Sequence, residues 1–160
     1  MDTVMQLLTD FIPVIAALGG AMVGGYFSRK SQNDAIQLQI ERDKEIAKKQ
    51  EMNELMSIYN DILRINGEKI MVAHVGGGHT ELDIKLYEQA IRPLVYEKFH
   101  LIHENVAKIV EKIDRKLAEC NFHEEITPEN HQFLATAYWD LINKINEHLA
   151  EYRESRFNYK

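Results

Sequence analysis

Residues 11–28 read FIPVIAALGGAMVGGYFS and carry no charge. As a helix they would reach about 27 Å, close to the hydrocarbon thickness of a bilayer. Val4, Met5, Leu7 and Leu8 extend the apolar stretch toward the start of the chain. Pro13 lies where a helix beginning near Asp10 tolerates it best. A buried helix of a water-soluble protein is the first competing reading. Against it, Gly19, Gly20, Gly24 and Gly25 would each cost roughly 1 kcal/mol relative to Ala in such a helix. Membrane helices use glycine to let backbones approach. A cleaved signal peptide is the second competitor. It would open on a basic segment, whereas this chain has Asp2 and no Lys or Arg before Arg29. The stretch therefore predicts a single transmembrane helix over 11–28, with a start as early as residue 4.

The flanks predict its orientation. Arg29 and Lys30 follow the span directly, and Asp2 and Asp10 precede it. The positive-inside rule then puts the N-terminus outside and the remainder in the cytoplasm of a cell membrane. Ala16, Gly20, Gly24 and Ser28 recur every four residues and so share one helix face. Such a ridge of small residues favours close packing of spans, so the expectation is a homo-oligomer formed within membrane lipid. A span that merely tolerates lipid, or contacts a different membrane protein, is the plainer alternative.

Residues 29–51 have few apolar positions and many charges, including ERDKEIAKKQE at 41–51. Glu41/Lys44, Glu45/Lys48 and Glu45/Lys49 are opposite charges at helical spacing, each worth tenths of a kcal/mol. The segment predicts a charged helical stalk, or a weak coiled coil if spans pair. Residues 52–160 predict a helical bundle. Met52, Leu55, Met56, Tyr59, Ile62 and Leu63 form one apolar face. Asn66-Gly67 is a plausible helix end or a hairpin turn before Ile70-Met71-Val72; a helix with a break is preferred. His74 to His79, with Gly76-Gly77-Gly78 between, reads as a loop, and Thr80 as a helix cap with Asp83 as its partner. Pro93 should kink or restart the helix that follows. Val95, Phe99, Ile102, Val106, Ile109, Ile113, Leu117 and Cys120 then form one long seam. Asn121 to Ile126 is a turn, and Thr127-Pro128 starts a last helix with Phe133 or Leu134, Tyr138, Leu141, Ile145, Leu149 and Tyr152 inward. The expected fold class is all-α: a transmembrane helix (1–28), a stalk (29–51) and an antiparallel three-helix bundle (52–160).

The bulk numbers agree with one domain plus an attachment. The chain has 160 residues, three prolines and a formal charge of −6. No basic block appears, which argues against a nucleic-acid partner. Cys120 is the single cysteine, so no intrachain disulfide exists.

Chemistry-bearing motifs are sparse. Glu97-Lys-Phe-His100 is a Glu-x-x-His pair, with His103 and Glu104 a turn further. On one continuous helix Glu97, His100 and Glu104 would share a face. Di-iron bundles use two such pairs plus further glutamates; here there is one. His131, His148, Glu147 and Glu151 offer side chains without that spacing. These residues are candidate metal ligands, weighed against ordinary polar residues beside a seam. The glycine loop lacks the P-loop Lys-Ser/Thr, no Gly-x-Ser-x-Gly elbow appears, and no residue is assigned a catalytic or cofactor-binding role. The seven histidines admit a pH-sensing reading, but nothing in the sequence shows any of them buried.

Two stretches carry a resemblance. Gly24-Gly-Tyr-Phe-Ser-Arg-Lys30 and Glu54-Leu-Met-Ser-Ile-Tyr59 resemble segments of uncharacterised small bacterial single-pass membrane proteins. Those have a Gly-rich N-terminal span and a cytoplasmic helical domain. The resemblance implies that architecture and no activity. Three functional expectations follow. The leading one is a non-enzymatic, membrane-anchored helical interaction or scaffold protein with an unknown protein partner. The second is a membrane-perturbing effector of the toxin or phage-defence type, although the span lacks polar residues to line a wide channel. The third is a metal-binding bundle enzyme resting on Glu97, His100, His103 and Glu104.

Overall fold

The computed structural model describes residues 2–76 and 78–157; for residues 2–19, 21–25, 27 and 157 it describes the backbone alone. The chain is mostly helical and divides into two compact units, residues 1–49 and 50–160. The first helix, α1 (Asp2–Glu68), contains the boundary between them.

Within the first unit every described side chain is exposed. Ile36, Leu38, Ile40 and Ile46 stand 41–56% exposed. The charged stretch around them is thus a helix with no core of its own. Most of the apolar 11–28 stretch lies outside the residues described with side chains. Among the described residues, no helix is long and apolar enough to cross a membrane.

The second unit holds the core. Its share of α1 buries Leu55, Met56, Tyr59 and Ile62, the one-faced pattern that the sequence predicts. After α1 the chain departs from the expected loop. Strands β1 (Val72–Val75) and β2 (His79–Leu82) pair antiparallel, with Val72 opposite Leu82 and Val75 opposite His79. Gly78 sits at φ +83° in the connecting turn, a conformation open to glycine at little cost. The helix ends at Glu68, beside the Asn66-Gly67 break; what is corrected is the plain loop expected at residues 74–79, which is the turn end of a β-hairpin.

Thr80 is corrected with it. Thr80 lies in β2, 5% exposed. Its N–H and its hydroxyl both donate to Gln132 Oε1, at 3.3 and 2.7 Å. The cap is Asp83 itself, whose carboxylate accepts from Leu86 N at 2.9 Å. Pairing the two strands satisfies the backbone groups that a helix starting at Thr80 would otherwise have used.

Helix α2 (Ile84–Leu86) leads through a π-helical turn, Tyr87–Ile91, into α3 (Arg92–Glu97). Pro93 lies in the first turn of α3, where a missing N–H is harmless; the expected restart is found. The long seam from Val95 to Cys120 is not one helix. Lys98 leaves helical geometry at φ −132°, ψ 40°, and a 3₁₀ turn spans Phe99–Leu101. Ile102 is extended, and α4 (Glu104–His123) begins anew. Val106, Val110, Ile113, Leu117 and Cys120 are its buried residues. Ile109, assigned to the seam, is only partly buried, and Val110 takes its place.

Helix α4 ends in a left-handed residue, Glu124, at φ 52°. Glu124 N–H reaches Asn121 O and Glu125 N–H reaches Cys120 O, both at 3.3 Å, the two bonds of a Schellman cap. Thr127 caps α5 (Pro128–Phe157), its hydroxyl accepting from Asn130 N at 3.3 Å. Leu134, Tyr138, Leu141, Ile145 and Leu149 face the core. Phe133, the alternative to Leu134, is 37% exposed. One contiguous apolar cluster joins these residues to Tyr59, Ile62, Tyr87, Ile91 and Val95.

Candidate functional site

The break between α3 and α4 decides the fate of the Glu97 group. Glu97 ends α3 before it, His100 lies in the 3₁₀ turn within it, and both are exposed. His103 and Glu104 open α4 after it. The single helical face on which three of these residues were expected to align is therefore absent. Glu104 is exposed and pairs with Lys108 at 2.6 Å, and the Lys108 ammonium holds its carboxyl below the usual range. Among the described residues no three His, Cys, Asp or Glu side chains stand where they could hold a metal ion.

His103 has a different environment. Its ring stacks on that of His148 from α5, with centroids 3.7 Å apart and planes 5° from parallel. Tyr59, fully buried on α1, points its hydroxyl at His103. That oxygen accepts the His103 backbone N–H at 3.2 Å and lies 2.9 Å from His103 Nδ1. A phenol has one proton to give. These contacts fit a Tyr59 hydroxyl that accepts from the backbone N–H and donates to Nδ1 of a neutral His103 whose ring proton sits on Nε2. His148 has Asn105 Oδ1 at 2.9 Å from Nε2 and a Glu151 oxygen at 3.4 Å from Nδ1. Burial, followed by the neighbouring His148, pushes the His103 imidazole below its ordinary value. Burial raises the Tyr59 hydroxyl to about 12, against the smaller effect of the His103 N–H. Tyr59 is thus a neutral donor throughout the physiological range.

A second polar cluster gathers around Asp114. Its carboxylate accepts from Tyr96 Oη at 2.8 Å, Arg92 Nε at 3.0 Å and Tyr87 Oη at 3.4 Å. Burial, then the Asp114 charge, pushes the Tyr87 hydroxyl far up. This arrangement ties α3 and the π turn to α4 and leaves no group unanswered for chemistry.

A groove of about 450 Å³ runs along α4 beside Phe133, lined also by Lys108, Lys112, Arg115 and Lys116. Its charges are largely answered within the chain. Lys108 pairs with Glu104 and Lys116 with Glu119, while Lys112 and Lys116 sit 4.8 and 5.6 Å from the Phe133 ring centre. Cys120 is 3% exposed and behaves as a small core residue.

No family model, curated protein or solved structure matches the chain. The site must be read from its own geometry. Of the four sequence candidates, only His103 enters this cluster, beside His148 and Glu151, which had shown no ligand spacing; Glu97 and His100 are exposed and Glu104 pairs with Lys108. Tyr59 was legible only as a core residue; its hydroxyl contact lies 44 positions away and leaves no local signal. Of the small-residue ridge, Gly20 and Ser28 are described and exposed. A Cβ on Gly20 would meet nothing within 4 Å. The side chains of Ala16 and Gly24 lie outside the described residues. Arg29 and Lys30 are exposed on α1.

Proposed function

We propose that this protein is a membrane-anchored helical interaction protein. Its 11–28 stretch spans the bilayer and self-associates through Ala16, Gly20, Gly24 and Ser28. The unit at 50–160 is held on the cytoplasmic side, where it meets a protein partner. The observation that carries this reading is the uncharged 11–28 run, ended by Arg29 and Lys30. Two features support it. The segment after the span buries nothing, as a connector does and a core helix does not. The polar clusters of the bundle are spent on hydrogen bonds between its own helices, which suits a rigid scaffold.

The test is membrane fractionation followed by fusion reporters. The full chain is expected to resist carbonate extraction. Fused at its C-terminus, green fluorescent protein should fluoresce and periplasmic phosphatase should stay inactive. Extraction into the carbonate supernatant would remove the anchor, and the reverse reporter pattern would invert the orientation. Gly20→Leu with Gly24→Leu should abolish crosslinked oligomers in membranes; unchanged crosslinking would reject the ridge.

A further inference from the structure

The stacked histidines do more than fill space. His103 is the residue from which α4 starts, and its own side chain does not cap that helix. Its position is set by Tyr59 on α1 and by His148 on α5, so one contact pins three elements. The contact is written for a neutral His103. Were Nδ1 protonated, Tyr59 Oη would accept from both the ring and the backbone of His103. Its own proton would then be stranded in a fully buried position, and an unmade hydrogen bond of that kind is costly. A second imidazolium 3.7 Å from the first ring would add like-charge repulsion. The groups facing the pair are Tyr59 from α1, Asn105 from α4, and Glu151 from α5. Glu151 is the single carboxylate among them. It sits on the His148 side, 3.4 Å from Nδ1, and opposes only in part the lowering of His103 by burial and by His148.

We propose that Tyr59, His103 and His148 form an acid-released latch, closed while His103 is neutral and freeing the start of α4 from α1 and α5 when His103 gains a proton. The direction of the effect follows from linkage. The folded state binds this proton less readily than the unfolded chain does. The latch is therefore fully stabilising above the ordinary histidine value near 6.5 and weakens as pH falls below it toward the depressed folded value. This inference concerns the bundle alone and does not rest on membrane anchoring.

The test is amide hydrogen exchange on the full chain in detergent between pH 7.5 and 5.0, corrected for the intrinsic pH dependence of exchange. Opening of segments 99–108 and 145–152 should rise by about tenfold per pH unit within the window where the folded and unfolded proton affinities differ. Segment 110–117, in the middle of α4, should respond less. His103→Gln keeps an acceptor for Tyr59 but cannot be charged, and should flatten the response. A wild-type chain with no acid response, or a His103→Gln chain with an undiminished one, overturns the latch. Should His103→Gln fail to fold, the Cε1 proton resonance of His103 in the wild-type chain decides. Titration in step with the opening supports the latch, and titration with no accompanying opening refutes it.

Discussion

At the scale of single residues, stability rests on a few buried hydroxyls and on side chains packed to completion. Asp114 is the plainest case. Removing its carboxylate by Asp114→Ala leaves the buried Tyr87 hydroxyl without its acceptor. The expected loss is about 1–3 kcal/mol, read as a lower denaturant midpoint. Asp114→Asn keeps an acceptor oxygen and should lose less. Leu141 is fully buried in the common core, and Leu141→Ala should cost about 2–5 kcal/mol. Phe122, an equally apolar side chain, is 83% exposed, and Phe122→Ala should stay within about 0.5 kcal/mol of wild type. Equal effects at Leu141 and Phe122 would contradict the assigned core.

At the scale of elements, the backbone makes its own demands. Gly78→Ala meets no atom within 4 Å, yet its φ of +83° strains any L side chain by about 1–2 kcal/mol. Gly76→Ala has the same open space and no such φ, and should be neutral or slightly stabilising. Thermal melts of the two variants separate backbone strain from crowding. Glu124 occupies the left-handed cap position of α4 where glycine is usual; Glu124→Gly should raise stability by up to about 1 kcal/mol. These elements were unequally legible. The apolar faces at 55–62 and 134–149 follow helical spacing and could be read directly, as could the Thr127-Pro128 start. The hairpin could not. Its strands have four residues each, β1 is mostly exposed, and β2 alternates in burial but buries the polar Thr80, so the apolar alternation that marks a strand is not visible in the sequence. The stop before α4 was equally hidden, because residues 98–103 contain neither Gly nor Pro. What holds His103 outside the preceding helix is a phenol from another element, and periodicity registers only neighbours along the chain. In the sequence His103 is only a neighbour of the Glu97, His100 and Glu104 face that the break abolishes, and its stacking partner His148 offered no matching spacing.

At the scale of the whole molecule, the two units differ in what protects them. Residues 28–49 are exposed throughout and include Arg29, Lys30, Arg42, Lys44, Lys48 and Lys49. Local opening there disrupts no buried contact, so trypsin should cut this stretch first. A resistant fragment beginning near residue 50 is expected by mass spectrometry; early cleavage within α4 or α5 would show that the bundle is the weaker part. The bundle itself is closed by contacts between distant parts of the chain. Tyr152 donates to Asn53 across 99 positions, and Tyr138 to Asn66 across 72. The ribosome delivers Asn53 and Tyr59 long before the residues that cover them, so the domain cannot close until α5 has left the exit tunnel. Throughout that interval the apolar face at 55–62 stands uncovered. Under the proposed anchoring, delivery of the nascent chain would therefore precede maturation of the domain it carries.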